Sequence, residues 1–83
     1  MGFSKRIAEY EALARVIREA REELGLSQRK LAEKVGRPSS AVNKIESGRQ
    51  RIDMVELNDI ARALRIGLPE IAARFEKALK ELG

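Results

Sequence analysis

Residues 27 to 48 read Ser27-Gln28-Arg29-Lys30-Leu31-Ala32-Glu33-Lys34-Val35-Gly36-Arg37-Pro38-Ser39-Ser40-Ala41-Val42-Asn43-Lys44-Ile45-Glu46-Ser47-Gly48. Ser27 is a strong helix N-cap, because its hydroxyl can accept from a first-turn backbone N–H, so a helix is expected from Gln28 to Val35. Leu31, Ala32 and Val35 supply its inward face. Gly36 closes it, in a backbone conformation that costs glycine nothing. A second short helix starts at Pro38 or Ser39, where proline is tolerated because a first-turn N–H has no intrahelical partner. Ala41, Val42 and Ile45 supply its buried side, and Ser47-Gly48 ends it. The small Ala32 lets the two helices approach closely. Ser39, Ser40, Asn43 and Lys44 remain on the outer side of the second helix, all polar and none acidic.

Upstream, Ile7, Tyr10, Leu13, Ile17, Ala20 and Leu24 recur every three or four residues, which predicts a first helix from about Ser4 to Leu24, capped by Gly25. A break near Glu11 is the alternative, leaving the N-terminal residues as a separate arm. Downstream, Gly48 to Ile52 reads as a basic loop. Asp53 with Glu56 three residues on has capping-box spacing. It opens a fourth helix whose stripe is Val55 (or Met54), Leu57, Ile60, Ala61 and Leu64, ending at Gly67. Pro69 opens a fifth helix to about Leu82, with Ile71, Phe75, Ala78, Leu79 and Leu82 on its apolar face. No β-branched alternating run is long enough for a strand, so the chain reads as all-α with five helices.

Composition narrows the function classes. The 83 residues make one domain, with neither cysteine nor histidine. The commonest general base, the commonest metal ligand and any disulfide or thiolate site are therefore absent, which argues against an enzyme and leaves no cofactor or metal expected. No apolar run approaches a membrane span or a signal-peptide core, and Arg6 stands where a myristoylation motif wants serine or threonine; a cytosolic protein is expected. The formal net charge is +4, and its distribution says more than its total. Between Gln28 and Arg51 lie seven basic residues (Arg29, Lys30, Lys34, Arg37, Lys44, Arg49, Arg51) against Glu33 and Glu46 alone, so this segment carries +5 and the rest of the chain −1. A positive surplus gathered in one segment favours a polyanionic partner.

Two short helices joined by a tight glycine turn are the helix-turn-helix geometry. Here the sequence resembles the phage-repressor-like Cro/C1-type (XRE) family of DNA-binding domains. The likeness is carried by Leu24-Gly25-Leu26-Ser27-Gln28, Leu31-Ala32-Glu33-Lys34-Val35-Gly36, Ile45-Glu46-Ser47-Gly48-Arg49 and Leu57-Asn58-Asp59-Ile60-Ala61-Arg62-Ala63-Leu64, and it covers about residues 13–72. That leaves residues 1–12 as an N-terminal arm or an extension of the first helix. Residues 73–83 are left as the C-terminal part of the fifth helix and a candidate dimer interface.

The resemblance implies a compact five-helix, lambda-repressor-like fold, with the helix-turn-helix at its second and third helices and the third entering the major groove. The family's base-reading positions fall on Ser39, Ser40, Asn43 and Lys44. Asn43 suits adenine and Lys44 suits guanine, while the two serines are short and reach a phosphate or water more readily than a base edge. Gln28 matches the family's phosphate-clamping glutamine. Arg37 in the turn, and Arg49, Gln50 and Arg51 in the loop, fall where relatives touch the DNA backbone, setting register rather than sequence. Arg21 and Glu46 match a partly buried ion pair that ties the first helix to the third. The implied partner is a double-stranded DNA operator bound by a homodimer, and the implied activity is transcriptional regulation, repression included. The alternative is an antitoxin or adaptor that engages another protein through its C-terminal helix. Leu79 and Leu82 would serve a dimer or protein contact, or else pack on Phe3, Ile7 and Tyr10.

Overall fold

The computed structural model of the chain describes the backbone of residues 2–82 and the side chains of residues 7–82. Five helices follow one another, α1 (Gly2–Glu23), α2 (Gln28–Val35), α3 (Ser39–Glu46), α4 (Met54–Ala63) and α5 (Leu68–Glu81), with no strand among the described residues. The expected all-α, five-helix architecture is the one observed.

Local chemistry sets the helix ends. The Ser27 hydroxyl accepts from the Lys30 N–H at 3.0 Å, starting α2. At its other end Gly36 sits at φ 71°, and the Arg37 N–H reaches back to the Ala32 carbonyl at 2.9 Å. Pro38 lies in extended backbone, so α3 starts at Ser39 rather than at the proline. Asp53 accepts from the Glu56 N–H at 2.8 Å while the Glu56 carboxylate accepts from the Asp53 N–H, the reciprocal capping box that opens α4.

Three expectations are corrected. The fourth helix does not run to Gly67: it stops at Ala63, and Arg65 takes the left-handed conformation at φ 61°. The Ile66 N–H then bonds the Ala61 carbonyl at 3.1 Å and the Arg65 N–H the Arg62 carbonyl at 3.1 Å, a Schellman closure with arginine where glycine is usual. Gly67 instead precedes α5 as its N-cap. Met54 and Val55 are both exposed, at 71% and 73%, because α4 packs on α2 and α5 through Leu57, Ile60, Ala61 and Leu64, and neither neighbour covers its first turn. Finally, the apolar line of α1 is displaced: Ala12, Val16, Ile17 and Ala20 are buried, Tyr10 and Leu13 are half-buried, and Ile7 is exposed. Small side chains let α3 and α5 pack closely on α1. The fifth helix ends beside Arg15, where Glu81 pairs with it at 2.7 Å, so Ile7 two turns further on is left bare.

The first helix runs through Glu11 unbroken, so residues 2–12 extend it rather than forming a separate arm. At 1.5 Å per residue it spans about 33 Å, most of the 37 Å long axis of the molecule. It backs both α3 and α5. The core joins its buried residues to Leu31 and Ala32 of α2, Val42 and Ile45 of α3, Ile60 and Ala61 of α4, Leu64, and Ile71 and Ala78 of α5. Leu79 is half-buried in a groove with Tyr10, Leu13 and Phe75, whereas Leu82 is exposed; the contact expected with Phe3 lies outside the described side chains.

Candidate nucleic-acid interface

Burying Val42 and Ile45 against α1 and α2 turns the opposite side of α3 outward. Ser39, Ser40, Asn43 and Lys44 lie there, all exposed and on one helix of two turns. No acidic residue occupies the first turn of α3 and no side chain caps it, so the positive end of the helix is uncompensated. At its far end the Ser47 hydroxyl donates to the Lys44 carbonyl at 2.7 Å.

A polar chain runs from the interior to this face. Arg21 on α1 donates from Nε to Glu46 Oε2 at 2.7 Å and from Nη2 to Glu46 Oε1 at 3.0 Å, a bidentate pair between side chains only 11% and 3% exposed. Its Nη1 donates to the Leu26 carbonyl at 2.7 Å, fixing the link between α1 and α2. The hydrogen bond to Glu46, reinforced by that carboxylate's charge, holds the Arg21 guanidinium above its ordinary pKa although burial pulls the other way. Gln28 Nε2 then donates to Glu46 Oε1 at 3.0 Å, and Asn43 Nδ2 donates to Gln28 Oε1 at 3.3 Å. Arg21, Glu46, Gln28 and Asn43 are thus one connected series. Sequence reasoning reaches Arg21–Glu46 as one pair and Gln28 and Asn43 as separate contacts; the 3.6-residue period that puts Asn43 and Glu46 on neighbouring parts of α3 is the signal that could have joined them.

The basic residues divide into two groups. Arg29 and Lys30 each lie 3.7 Å from Glu33, and Arg37 pairs with Glu56 at 2.6 Å, tying the turn to the start of α4. The structure therefore places Arg37, expected at the DNA backbone, in an ion pair with a residue that also closes the α4 capping box. Lys34, Lys44, Arg49 and Arg51 make no ion pair among the described residues. Lys44, Arg49, Gln50 and Arg51 are exposed at the C-terminal end of α3 and just beyond it. This loop is held by Gly48, which is buried at φ 76° and seated on α1. A Cβ there would lie 2.8 Å from Glu11 Cγ and 3.1 Å from Glu11 Cα. Among the described residues no group of three or more acidic side chains is placed to hold a metal ion, and no helix is long and apolar enough to cross a membrane.

The chain matches the helix-turn-helix family model over residues 17–71. A protein of Methanothermobacter thermautotrophicus described as an uncharacterized HTH-type transcriptional regulator is 45% identical over 49 residues, covering 59% of this chain and 71% of that protein. Among solved structures, an XRE-family like protein from Pseudomonas syringae pv. tomato superposes with a TM-score of 0.79 at 33% identity, covering 93% of this chain and 96% of that one. The clp gene regulator ClgR from Corynebacterium glutamicum has a TM-score of 0.84 at 22% identity, over 89% of this chain and 79% of its own. The restriction-modification controller protein C.Esp1396I, solved as a tetramer on its natural 35 base-pair operator, has a TM-score of 0.79 at 21% identity, over 86% and 93% of the two chains. With its family match, its helix-turn-helix geometry and its structural kinship in agreement, the chain belongs to the Cro/C1-type (XRE) family of helix-turn-helix DNA-binding transcription regulators.

Proposed function

We propose that this regulator binds a two-fold-related duplex operator as a homodimer and represses transcription by occupying promoter DNA in the cytoplasm. In this reading α3 lies in the major groove, Asn43 and Lys44 contact base edges, and Ser39 and Ser40 contact a phosphate or bound water at the groove entrance. Gln28, Arg49, Gln50 and Arg51 clamp the sugar-phosphate backbone, and Arg37 joins them by exchanging Glu56 for a phosphate. The observation that carries the reading is the series from buried Arg21 to exposed Asn43, which holds the polar face of α3 rigid beside unpaired Lys44, Arg49 and Arg51. A preorganised polar face costs less side-chain entropy on binding.

Two copies are proposed because one two-turn helix spans only a few base pairs, and half-sites one helical turn apart multiply the contacts. The tetramer of C.Esp1396I on its operator supports the idea that this fold can occupy DNA in several copies. The partly exposed Phe75 and Leu79 of α5, with the exposed Leu82 just beyond its end, are the residues we assign to the dimer.

Gel-shift titration of random duplex at two salt concentrations tests the reading. Arg49 and Arg51, each releasing about 0.9 counterion, give a log–log salt slope of about −2 per protomer and about −4 for a dimer, and Arg37 adds up to about one more per protomer as it exchanges Glu56 for a phosphate. Loss of all binding at low salt in this assay contradicts it.

A further inference from the structure

A groove of about 520 Å³ separates the exposed edge of α1 from the loop after α3; Ile7 and Tyr10 form one wall, and Arg49, Gln50 and Arg51 the other. Nothing but Gly48 separates helix from loop at its floor, since any Cβ there would strike Glu11. The two walls therefore hold a fixed spacing. Arg49 and Arg51 carry no ion pair among the described residues. The Tyr10 hydroxyl has no hydrogen-bond partner among the described residues, although the ring is half-buried. Tyr10 lines the same groove as Arg49 and Arg51, so a phenol with no partner among the described residues is a donor available to an anion those guanidinium groups attract.

We infer that this groove is a phosphate-binding site shared between α1 and the loop, in which Tyr10 donates to the same DNA backbone phosphate that Arg49 and Arg51 hold. The inference rests on the proposed reading of the loop as a phosphate clamp, and it extends the DNA interface onto the first helix. Glu11, the one acid lining the groove, has its Cγ packed at the Gly48 floor, so its charge partly opposes the site and the uncharged Tyr10 donor adds to it without further desolvated charge.

The test compares Tyr10→Phe, Arg49→Ala and the parent protein in duplex binding at several salt concentrations. Tyr10→Phe keeps the ring and its packing, so the melting temperature is expected to stay unchanged. Its dissociation constant rises about ten- to a hundredfold on every sequence, the effect of one hydrogen bond to a charged acceptor. Its salt slope stays at the parent value, because a neutral donor releases no counterion, whereas Arg49→Ala lowers the slope by about one per protomer, about two for the dimer. Parent-like binding by Tyr10→Phe alongside weakened Arg49→Ala overturns the Tyr10 site and leaves the clamp standing. Parent-like binding by both overturns the clamp itself.

Discussion

Gln28 donates to the buried Glu46 carboxylate at 3.0 Å, so the residue at the start of α2 is tethered to the end of α3. Glu46 serves Arg21 and Gln28 at once, and through Gln28 it reaches Asn43. One carboxylate thus joins the stability of the domain to the geometry of the polar face of α3, and the two effects can be separated by mutation.

Glu46→Ala leaves the Arg21 guanidinium buried without its partner and is expected to cost about 3–5 kcal/mol, read as a fall in the urea midpoint. Arg21→Met combined with Glu46→Leu removes both charges and recovers most of that loss, since apolar replacements of a buried pair are often neutral or stabilising. The double variant still binds DNA more weakly than the parent, because Gln28 has lost its anchor. Full recovery of both stability and affinity would show that the tether plays no part in recognition.

Among the described residues three glycines adopt positive φ, but only one of them is also crowded. An alanine at Gly36 meets no atom within 4 Å and bears the backbone cost alone, about 1 kcal/mol. At Gly48 the same Cβ lies 2.8 Å from Glu11, so Gly48→Ala adds a steric cost and is expected to lose about 2–4 kcal/mol. Thermal melts of the two variants should rank in that order, Gly48→Ala the lower. The converse holds at Arg65: Arg65→Gly relieves a left-handed arginine and is expected to gain about 0.5–1 kcal/mol.

The ion pair of Arg37 with Glu56 competes with any phosphate that Arg37 would bind. Glu56→Gln keeps a side chain suited to the capping box and removes the competing charge. Tighter duplex binding, about two- to fivefold, with a salt slope steeper by up to one per protomer, is expected in salt-dependent titrations. An unchanged slope would place Arg37 away from the backbone and assign it to holding the turn on α4.

The local elements are largely legible in the sequence, because their determinants are short-range. Ser27, Gly36, and the Asp53–Glu56 box each act within four residues, and each is found where its chemistry puts it. What depends on packing is not legible there. Gly67 has the look of a helix end, yet the chain turns at Arg65, since the Ile66 N–H finds the Ala61 carbonyl and Ile66 is carried onto the core. Met54 and Val55 have the hydrophobicity of a stripe but lie beyond the reach of α2 and α5. Within the candidate interface, the outward position of Ser39, Ser40, Asn43 and Lys44 follows from helical period alone. The Gln28–Glu46 tether and the Arg37–Glu56 pair do not, because each joins residues on separate helices or turns whose side chains meet only after the domain packs.

On the proposed reading, α3 reads DNA with Asn43 and Lys44 while the surrounding basic loop clamps it. The decisive experiment is binding selection from a randomised duplex pool, run in parallel with the parent and Asn43→Ala. A two-fold symmetric motif is expected, with half-site centres about one helical turn apart, roughly 10–10.5 base pairs. Asn43→Ala is expected to lose preference at one or two base pairs in each half-site while the others persist. Enrichment of no motif, or of one identical for both proteins at every position, would contradict the assignment of α3 as the reading helix.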